Sequence, residues 1–418
     1  MTVSREAALV AYRAFSDVAG KGAFFVLTVF AARSLSQQGF GLFSLGTTFG
    51  WITAVATDFG IQLHVARAVS QHPEDARRLL RGWLRVRLWT SAAALTAVAV
   101  GLIATGTERA SASALFLLVL VYTVGGLIEF LHYFYRGLSR SDIESTLTLW
   151  QRFAVLAAAV VVLRWLPNVT ALALAMLMPT LATLAYSVRR AGRAAGEQEQ
   201  SVHHRLPGTA GPAGLQNVVP IGIGIVLSAL YFRVDVFLIE MWRGTEAVAL
   251  YNAVFRLVEA LRLFPAAVLA VALPALFRAT DTRPLLSVSA VVTAFSVVVT
   301  LALWAVAGWL VPALYGDRYV DAVRAFRVLL LALPLMSLNY ALTHQLIGWN
   351  GHRAYATICA AALVFNVALN ARLIPALSIE GAAWSTLATE GLLSVACVTA
   401  LWMRSSRPRP EAFATVSP

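Results

Sequence analysis

The sequence is poor in charged residues. Of its 418 residues, 13% are charged and 59% are hydrophobic, and the mean hydropathy is +0.72. A soluble domain of ordinary size carries about 25% charged and about 45–50% apolar residues. Because the surface of a soluble fold needs polar cover, this composition excludes a soluble domain. It favours a protein whose outer surface faces lipid.

Cysteine is scarce, and the sequence motifs of enzymes are missing. The two cysteines, Cys359 and Cys397, lie inside apolar blocks, which argues against a disulfide framework and against a metal site. The sequence contains no glycine-rich nucleotide loop, no metal-ligand spacing and no nucleophile elbow. It also lacks the short apolar segment and small-residue cleavage site of a removable signal peptide. We therefore expect no cofactor and no metal, and a transporter rather than an enzyme.

The apolar residues come in blocks of about 20, the length that crosses a hydrocarbon core of about 30 Å as a helix. Backbone groups in lipid must be satisfied within their own segment, so blocks of this length are helices rather than strands. We predict an all-α polytopic membrane protein with about twelve spans, at residues 10–34, 41–66, 83–106, 112–135, 146–166, 169–189, 214–240, 246–276, 285–313, 323–347, 354–374 and 380–403.

Arginine supplies nearly all of the net charge of +12, since Lys21 is the only lysine. The opposite loops hold single cations such as Arg109, Arg164 and Arg243. One set of predicted loops is instead rich in arginine: Arg77, Arg78, Arg81, Arg85, Arg87, Arg136, Arg140, Arg189, Arg190, Arg193, Arg205, Arg278, Arg283, Arg353, Arg404, Arg407 and Arg409. Positively charged loops remain in the cytoplasm, so both termini are predicted to be cytoplasmic in a bacterial inner membrane. The basic residues form no binding face, and we expect no nucleic acid as a partner.

A hydrophilic stretch divides the predicted spans into two groups of six. It is rich in glycine, alanine and glutamine without apolar periodicity, which is typical of a linker. The start of the second span, Gly39-Phe-Gly-Leu-Phe, weakly resembles the start of the eighth, Ala247-Val-Ala-Leu-Tyr. Six-plus-six repeats are common in transporters, which handle substrate at the repeat interface. We predict an N-terminal lobe at 1–189, a cytoplasmic linker at 190–213, a C-terminal lobe at 214–403 and a cytoplasmic tail at 404–418.

Ionisable residues inside the spans are the candidates for function, because each costs about 2.5–3.5 kcal/mol at the bilayer centre. Several stand three or four residues apart and therefore share one helix face. By predicted span they are Arg13, Asp17 and Lys21 in the first, Asp58 in the second, Glu129, His132 and Arg136 in the fourth, Arg233 and Asp235 in the seventh, and Asn252, Arg256, Glu259 and Arg262 in the eighth.

Each of these residues also has a structural interpretation. Opposite charges one helical turn apart can neutralise each other and hold helices together. In the eighth span Arg256 and Arg262 compete for Glu259, which leaves cationic capacity for a ligand and favours a functional role. Asp58 has no partner on its own helix, so it either pairs across helices or titrates.

Several segments follow those of a known family in order and spacing. The second-span region reads Gly41-Leu-Phe-Ser-Leu, followed by Asp58-Phe-Gly60 and Arg67. The seventh span contains Tyr231-Phe-Arg-Val-Asp235. The strongest match combines Asn366-Val-Ala-Leu-Asn370, Leu373-Ile-Pro375, Gly381-Ala-Ala383 and Glu390. With these motifs the chain resembles, over nearly its whole length, the polysaccharide and O-antigen-type oligosaccharide flippases. It departs at Ala249, where glycine is expected.

That family belongs to the multidrug/oligosaccharidyl-lipid/polysaccharide exporter superfamily. The resemblance implies a MATE-like fold of two six-helix lobes around a central cavity that alternates between inward-open and outward-open states. The implied substrate is an undecaprenyl-diphosphate-linked oligosaccharide, moved from the cytoplasmic to the periplasmic leaflet for cell-surface polysaccharide biosynthesis. Membrane lipids, and contact with glycan polymerase machinery, are the further partners to expect.

The charged residues in the spans suit such a substrate. A polyprenyl diphosphate has an anionic headgroup that cannot cross hydrocarbon unaided, and cationic side chains in a cavity would compensate its charge. The candidates for substrate binding are Lys21, Arg233, Arg256 and Arg262. The candidates for coupling transport to H⁺ or Na⁺ are the carboxylates Asp17, Asp58, Asp235 and Glu259.

Three other functions stay open at this stage. A multidrug or organic-cation antiporter would share the fold but should have a net acidic cavity. A lipid II flippase would usually carry additional helices. A membrane glycan polymerase or ligase would generally need a large periplasmic loop, and none is visible in the sequence.

Overall fold

The computed structural model describes residues 2–201, 215–278, 283–349 and 351–405. Throughout that part of the chain the regular structure is helical, and no strand occurs in it. Single 3-10 turns lie at Pro73–Asp75 and Asp317–Tyr319. The α-helices are α1 (Thr2–Ser34), α2 (Gln37–Asp58), α3 (Ile61–Gln71), α4 (Ala76–Ala104), α5 (Arg109–Gly137), α6 (Ser141–Trp165), α7 (Val169–Ser201), α8 (Leu215–Arg243), α9 (Thr245–Leu261), α10 (Leu263–Arg278), α11 (Arg283–Tyr315), α12 (Ala322–Gly348) and α13 (His352–Ser405).

The number of membrane spans agrees with the prediction. Ten helical segments of the described residues are long and apolar enough to cross a membrane by length and composition. The last of these contains a non-helical residue, Ser378 (φ 53°, ψ −134°), which divides α13 into two spans. The shorter helices α9 and α10 have 17 and 16 residues and meet at Arg262, so together they form one interrupted span. The predicted all-α fold of about twelve spans is therefore confirmed.

Two predicted spans are interrupted, which corrects the predicted boundaries. The block at 41–66 breaks at Phe59 and Gly60, which are both left-handed (φ 46° and 82°), and α3 is a separate helix of 11 residues. The block at 246–276 breaks between α9 and α10. Asp58 and Arg262 consequently lie at helix ends rather than within continuous helices, next to backbone groups that have no partner inside the helix.

The arginines at 77–87 were expected in a cytoplasmic loop; they are helical instead, and the side of the membrane on which they lie stays a prediction. They lie in the first turns of α4, which begins at Ala76 rather than at residue 83. Arg87 is completely buried. A buried arginine inside the protein gives no information on the side of the membrane, so Arg87 drops out of the topology prediction, whereas Arg77, Arg78, Arg81 and Arg85 are exposed and stay in it.

The predicted linker lies only partly within the described residues. Helix α7 continues to Ser201, past the predicted start of the linker at 190. The described ranges leave out residues 202–214, which include the rest of the predicted linker, together with Asn350 and residues 406–418 of the tail. The linker and the tail therefore stay predictions.

Helix packing follows the two halves of the sequence. In the first half α2 packs on α5, α1 on α6, and α7 on both α5 and α6. In the second half α13 packs on α8 and α12, and α11 packs on α12. The halves meet chiefly through α2, which contacts α8 and α9, with a smaller contact between α1 and α9.

Buried apolar side chains form one cluster at one end of the molecule and two clusters at the other. The first cluster contains residues of both halves, such as Leu27 and Tyr319, and lies at the predicted periplasmic end. At the predicted cytoplasmic end, one cluster around Phe134 belongs to the first half and another around Leu346 belongs to the second. The apolar clusters of the two halves are therefore joined at one end and separate at the other. The backbones still meet at the second end, because a Cβ atom at Gly222 of α8 would lie 2.5 Å from the Phe59 carbonyl oxygen at the end of α2.

Two arginines hold the packed end by exchanging contacts across the halves. Arg33, at the end of α1, donates from Nε to the Leu314 carbonyl (2.8 Å) and from Nη2 to the Ala313 carbonyl (2.5 Å) of α11. Arg318 donates from Nη2 back to the Arg33 carbonyl (2.9 Å) and also to the Ala32 carbonyl. Each guanidinium thus satisfies unpaired carbonyls at the other half's helix C-terminus, where positive charge is favoured. We call this pair the arginine clasp.

The backbones of the two halves also approach closely at this end. A Cβ atom at Gly41 of α2 would lie 1.9 Å from the Thr245 carbonyl oxygen of α9. No side chain fits in that space, so glycine is required for this contact. The packed end is therefore specified by the sequence at Gly41 as well as by the arginine clasp.

Candidate functional site

A cavity of about 390 Å³ lies between the two halves, and we call it the central cavity. Its size falls in the range of about 300–1,000 Å³ that is typical of ligand sites. The charged groups that line it are five cations and one carboxylate, namely Lys21, Arg152, Arg233, Arg256, Arg262 and Glu259. All four residues predicted to bind substrate are among them, so the structure brings together side chains from α1, α8 and α9.

Glu259 is shared by two arginines of the central cavity. Its Oε1 accepts from Arg233 Nη2 and its Oε2 accepts from Arg256 Nη1, both at 2.7 Å. Arg233 also donates from Nη1 to Asn252 Oδ1 at 3.0 Å. The sequence spacing had suggested Arg262 as the competitor for Glu259, but the Arg262 side chain forms no hydrogen bond or ion pair with the Glu259 carboxylate and acts on it only through its charge. The competitor is Arg233, which comes from the neighbouring helix α8.

Aromatic rings support the cationic side chains. The Arg233 guanidinium carbon lies 4.4 Å from the centroid of the Phe255 ring, and that of Arg262 lies 4.8 Å from the centroid of Phe232. Such cation–π contacts favour a desolvated guanidinium. For Arg262 this ring is the partner that the structure gives, since no hydrogen bond or ion pair links it to another described side chain.

The first half contributes two cations without anionic partners. Lys21 on α1 and Arg152 on α6 are both exposed to the cavity. Neither forms an ion pair within the described part of the chain. Arg256 adds a contact across the halves, because its guanidinium carbon lies 5.3 Å from the centroid of Phe24 on α1. Together with Arg262 of the second half, the cations without an ion pair therefore come from both halves.

Arg152 was missed in the sequence analysis. It stands in the middle of the predicted span at 146–166, where the residues one turn away carry no charge that draws attention to it. An arginine inside a span without an opposite charge one turn away was itself the available signal.

A second cavity, of about 410 Å³, extends from the central cavity into the first half, and we call it the polar cavity. The two cavities share Lys21, Trp51, Tyr122 and Arg152 in their walls. The polar cavity continues between α1, α2, α4, α5 and α6 toward the predicted cytoplasmic end. Its charged lining residues are Asp17, Lys21, Asp58, Arg87, Glu129, Arg136, Glu144 and Arg152.

Two of the carboxylates in the polar cavity are paired. Asp58 lies 3.8 Å from the Nε of the buried Arg87, and it accepts the backbone N–H groups of Gly60 (3.1 Å) and Gln62 (3.3 Å). Asp58 thus pairs across helices, which was one of its two predicted states, and it also caps the start of α3. Glu144 accepts from Arg136 Nε at 2.9 Å with both oxygens.

The other two carboxylates of the polar cavity are unpaired. Asp17 on α1 and Glu129 on α5 are exposed, and neither has a hydrogen bond or an ion pair with another described side chain. Arg13 and Lys21, each one turn from Asp17 on α1, form no ion pair with it, so the interpretation of mutual neutralisation does not hold for this row. Arg13 points instead to Glu144, with 3.7 Å between Arg13 Nε and Glu144 Oε1.

Asp235 lies apart from both cavities. It is buried, and it accepts hydrogen bonds from the Tyr251 hydroxyl and from the Val236 backbone N–H (2.9 Å). The Tyr251 hydroxyl also lies 3.2 Å from the Thr386 hydroxyl of α13. These contacts tie α8, α9 and α13 together, so the structure gives Asp235 a packing role. Its predicted part in ion coupling stays untested.

The carboxyl-terminal motif that carried the family resemblance is also part of the helix packing. Asn366 donates to the Thr389 hydroxyl (3.1 Å), and Asn370 donates to Asn366 Oδ1 (2.7 Å). Glu390 accepts from Asn339 Nδ2 at 2.7 Å. These buried contacts join the two spans of α13 and link them to α12. None of these five residues lines either cavity.

The described residues contain no group of histidine, cysteine, aspartate and glutamate side chains that could hold a metal ion. What the two cavities can do chemically follows from their charges. The central cavity can accept an anion between cations from both halves. The polar cavity offers balanced donors and acceptors to an uncharged polar group.

The fold is shared with known membrane transporters. The inward-facing conformation of a multidrug resistance MATE family transporter of the MOP superfamily superposes with a TM-score of 0.71 at 14% identity, covering 92% of this chain and 94% of that one. The outward-facing conformation of such a transporter gives a TM-score of 0.62 at 14% identity over 95% of each chain. The lipid II flippase MurJ, in an inward closed conformation, gives 0.72 at 10% identity, covering 93% of this chain and 87% of MurJ.

Sequence comparison adds the family. No curated protein sequence matches the chain. The profile of the family described as polysaccharide biosynthesis protein matches residues 8–280. The matched region covers well over half of the chain, from α1 to beyond α10, and contains every charged residue of the central cavity. The chain is therefore a member of the polysaccharide biosynthesis protein family, with the fold of the MATE and MurJ transporters.

Proposed function

We propose that the protein is an alternating-access flippase. In this proposal it moves an undecaprenyl-diphosphate-linked oligosaccharide from the cytoplasmic to the periplasmic leaflet of the bacterial inner membrane, for cell-surface polysaccharide biosynthesis. The observation that carries the proposal is the central cavity, where five cations surround one carboxylate in a member of the polysaccharide biosynthesis protein family.

The charge of the central cavity suits a diphosphate. Three cations, Lys21, Arg152 and Arg262, form no ion pair and no hydrogen bond with a carboxylate among the described residues. Arginine binds phosphate oxygens with two parallel hydrogen bonds and stays charged when water is removed. A diphosphate that enters the cavity can also take over Arg256 from Glu259, because the two oxygens of Glu259 already serve two arginines.

The distribution of the apolar clusters supports alternating access. The halves share a cluster at the predicted periplasmic end and have separate clusters at the predicted cytoplasmic end. Entry of the headgroup from the cytoplasmic leaflet fits this arrangement. Release on the other side requires the arginine clasp to open and the two separate apolar clusters at the cytoplasmic end to come together.

The same cavity argues against export of organic cations. A cationic drug in the central cavity would face five positive side chains and a single carboxylate that is already paired. Coulomb repulsion is strong in a partly desolvated site. An antiporter of the same fold would need the opposite balance of charge.

Ion coupling and protein partners are part of the proposal. Coupling to H⁺ or Na⁺ would use Asp17 or Asp58, which both line the polar cavity. For Asp58, a coupling role would require the ion pair with Arg87 to open during the cycle. Contact with glycan polymerase machinery follows from the proposed place of the protein in polysaccharide biosynthesis.

The proposal can be tested with Arg256 in proteoliposomes. The substrate is a fluorescent short-chain polyprenyl diphosphate that carries N-acetylglucosamine, and its transfer is followed by quenching in the outer leaflet. Arg256→Ala should slow transfer at least about tenfold, since a hydrogen bond to a charged group is worth about 1.5–3 kcal/mol. Arg256→Lys should also be slow, because an ammonium group does not replace the planar fork.

Arg327→Ala provides the matched control. Arg327 also contacts an aromatic ring, with its guanidinium carbon 5.0 Å from the centroid of Trp304, but it lines neither cavity. Transfer by this variant should equal that of the wild type. Normal transfer by Arg256→Ala, in protein whose thermal stability is unchanged, would contradict the placement of the headgroup.

A further inference from the structure

The walls of the polar cavity carry an unusual division of charge. Arg87 is paired with Asp58, and Glu144 is paired with Arg136 and also lies 3.7 Å from Arg13 Nε, so neither of these carboxylates is free. The remaining cations, Lys21 and Arg152, stand at the boundary where the polar cavity meets the central cavity. The remaining carboxylates are Asp17 and Glu129.

Both carboxylates lie deeper in the polar cavity than the boundary. Asp17 is one helical turn from Lys21 on α1, about 6 Å along the helix axis. Glu129 is two turns from Tyr122 on α5, about 10 Å along the axis. In both helices the displacement is toward the predicted cytoplasmic end. A diphosphate held by the boundary cations would therefore leave Asp17 and Glu129 as carboxylates without an ion pair among the described residues in the part of the cavity beyond it.

The uncharged groups of the polar cavity suit a carbohydrate. Trp51 and Tyr122 stand at the boundary and offer apolar ring faces beside polar groups. Gln62 and Thr148 line the cavity further in and can both donate and accept hydrogen bonds. Carboxylates accept hydrogen bonds from sugar hydroxyl groups, but they repel a second carboxylate.

We propose that the polar cavity holds the first sugars of the glycan, and that Asp17 and Glu129 select uncharged sugars or amino sugars against acidic ones. This inference rests on the proposed function, because the diphosphate in the central cavity determines which part of the substrate reaches the polar cavity. The absence of negative charge is required only of the sugars nearest the diphosphate. Sugars further along the repeat can be neutral or acidic.

The test is a binding experiment with the full chain in lipid nanodiscs at fixed pH and salt. Three short-chain probes are compared: polyprenyl diphosphate without sugar, the same lipid with N-acetylglucosamine, and the same lipid with glucuronic acid. The wild type should bind the N-acetylglucosamine lipid more tightly than the bare lipid. It should bind the glucuronic acid lipid about tenfold more weakly than the N-acetylglucosamine lipid, as expected for charge repulsion in a partly desolvated cavity.

The double variant Asp17→Asn/Glu129→Gln should remove this preference and bring the two sugar lipids to within about twofold of each other, which is a difference below about 0.5 kcal/mol. The double variant Glu108→Gln/Glu246→Gln is the matched control, because it removes two exposed carboxylates that line neither cavity. The control should keep the preference of the wild type.

The outcomes separate this inference from the proposed function. If the bare polyprenyl diphosphate fails to bind the wild type, the proposed function is wrong and the inference falls with it. If the bare lipid binds but the acidic sugar is accepted as well as the neutral one, the inference alone is overturned. The same holds if the Asp17/Glu129 variant keeps the preference, or if the control loses it.

Discussion

The arginines of the packed end and those of the central cavity differ in what satisfies them. At the packed end, Arg33 and Arg318 each donate to backbone carbonyl oxygens of the other half. These acceptors are present in any state in which the two helix ends stay together. In the central cavity, Arg233 and Arg256 share the single carboxylate of Glu259. The first pair is satisfied by the fold itself and holds the halves together. The second group is short of anions, and its unsatisfied charge is available to a ligand.

The apolar clusters show the same contrast between regions. At the packed end one cluster spans both halves, and at the other end each half has its own. Burial of apolar surface is worth about 25 cal/mol per Å². When the packed end opens to water, its lost apolar contact must therefore be replaced by apolar contact of similar area between the halves at the other end. The arginine clasp can therefore bias the equilibrium between states, while the apolar surfaces keep both states accessible.

The largest expected effect concerns the side of the membrane on which each end lies. Single cysteines in place of Gly106 and Gly316 should react in intact cells with a thiol reagent that cannot cross the inner membrane. Cysteines at His72 and Gly196 should react only after the membrane is permeabilised, because the arginine-rich side is predicted to be cytoplasmic. Replacing the native cysteines, which are both buried, removes background labelling. Labelling of His72→Cys in intact cells would show that the two ends are assigned to the wrong sides of the membrane, and it would contradict the proposed direction of transport.

The next effect concerns the shared carboxylate. Glu259→Gln leaves the buried Arg233 without its anion, and breaking a buried ion pair in this way costs about 3 kcal/mol. The unfolding temperature in detergent should fall, and added short-chain polyprenyl diphosphate should raise it more in this variant than in the wild type. Glu246→Gln, an exposed carboxylate outside both cavities, should change neither quantity. A Glu259→Gln protein as stable as the wild type would show that Arg233 does not depend on this partner.

A smaller effect is expected at the arginine clasp. Arg33→Ala combined with Arg318→Ala removes guanidinium contacts from exposed side chains, so we expect the packed end to open about tenfold more often, equivalent to about 1.4 kcal/mol. A cysteine in place of the buried Ala32 reports this opening through its rate of thiol labelling. Arg164→Ala, which removes an exposed arginine at the same predicted end, should leave the rate unchanged. An unchanged rate in the clasp variant would mean that apolar packing alone keeps this end closed.

The helices and four of the five cations of the central cavity could be predicted from the sequence. Blocks of about 20 apolar residues determine helices in lipid, and a charge inside such a block marks a cavity or an interior contact. These rules found Lys21, Arg233, Arg256 and Arg262, which the structure brings together. Both rules apply to one helix at a time, so they can be used without knowing which helices pack against each other.

The partners of these charges could not be predicted in the same way. Spacing along one helix suggested Arg262 as the competitor for Glu259, whereas the structure uses Arg233 from another helix. The pairs of Asp58 with Arg87 and of Arg33 with carbonyls of α11 also join residues from different helices. Such contacts depend on how helices pack, and residues that meet in this way share no fixed interval in the sequence. The break at Phe59 could not be predicted for a different reason. An aromatic residue in a left-handed conformation is uncommon, so the sequence gives no signal for it.

The central claim is that the cations of the central cavity bind the diphosphate of a polyprenyl lipid. The most direct measurement is the affinity of the full chain in nanodiscs for undecaprenyl diphosphate, in the wild type and in the variants Arg256→Ala, Arg262→Ala and Arg327→Ala. We expect the first two variants to lose about tenfold or more in affinity, as removal of a charged hydrogen-bond donor predicts, and Arg327→Ala to bind as the wild type does. Equal affinity in all four proteins would contradict the account.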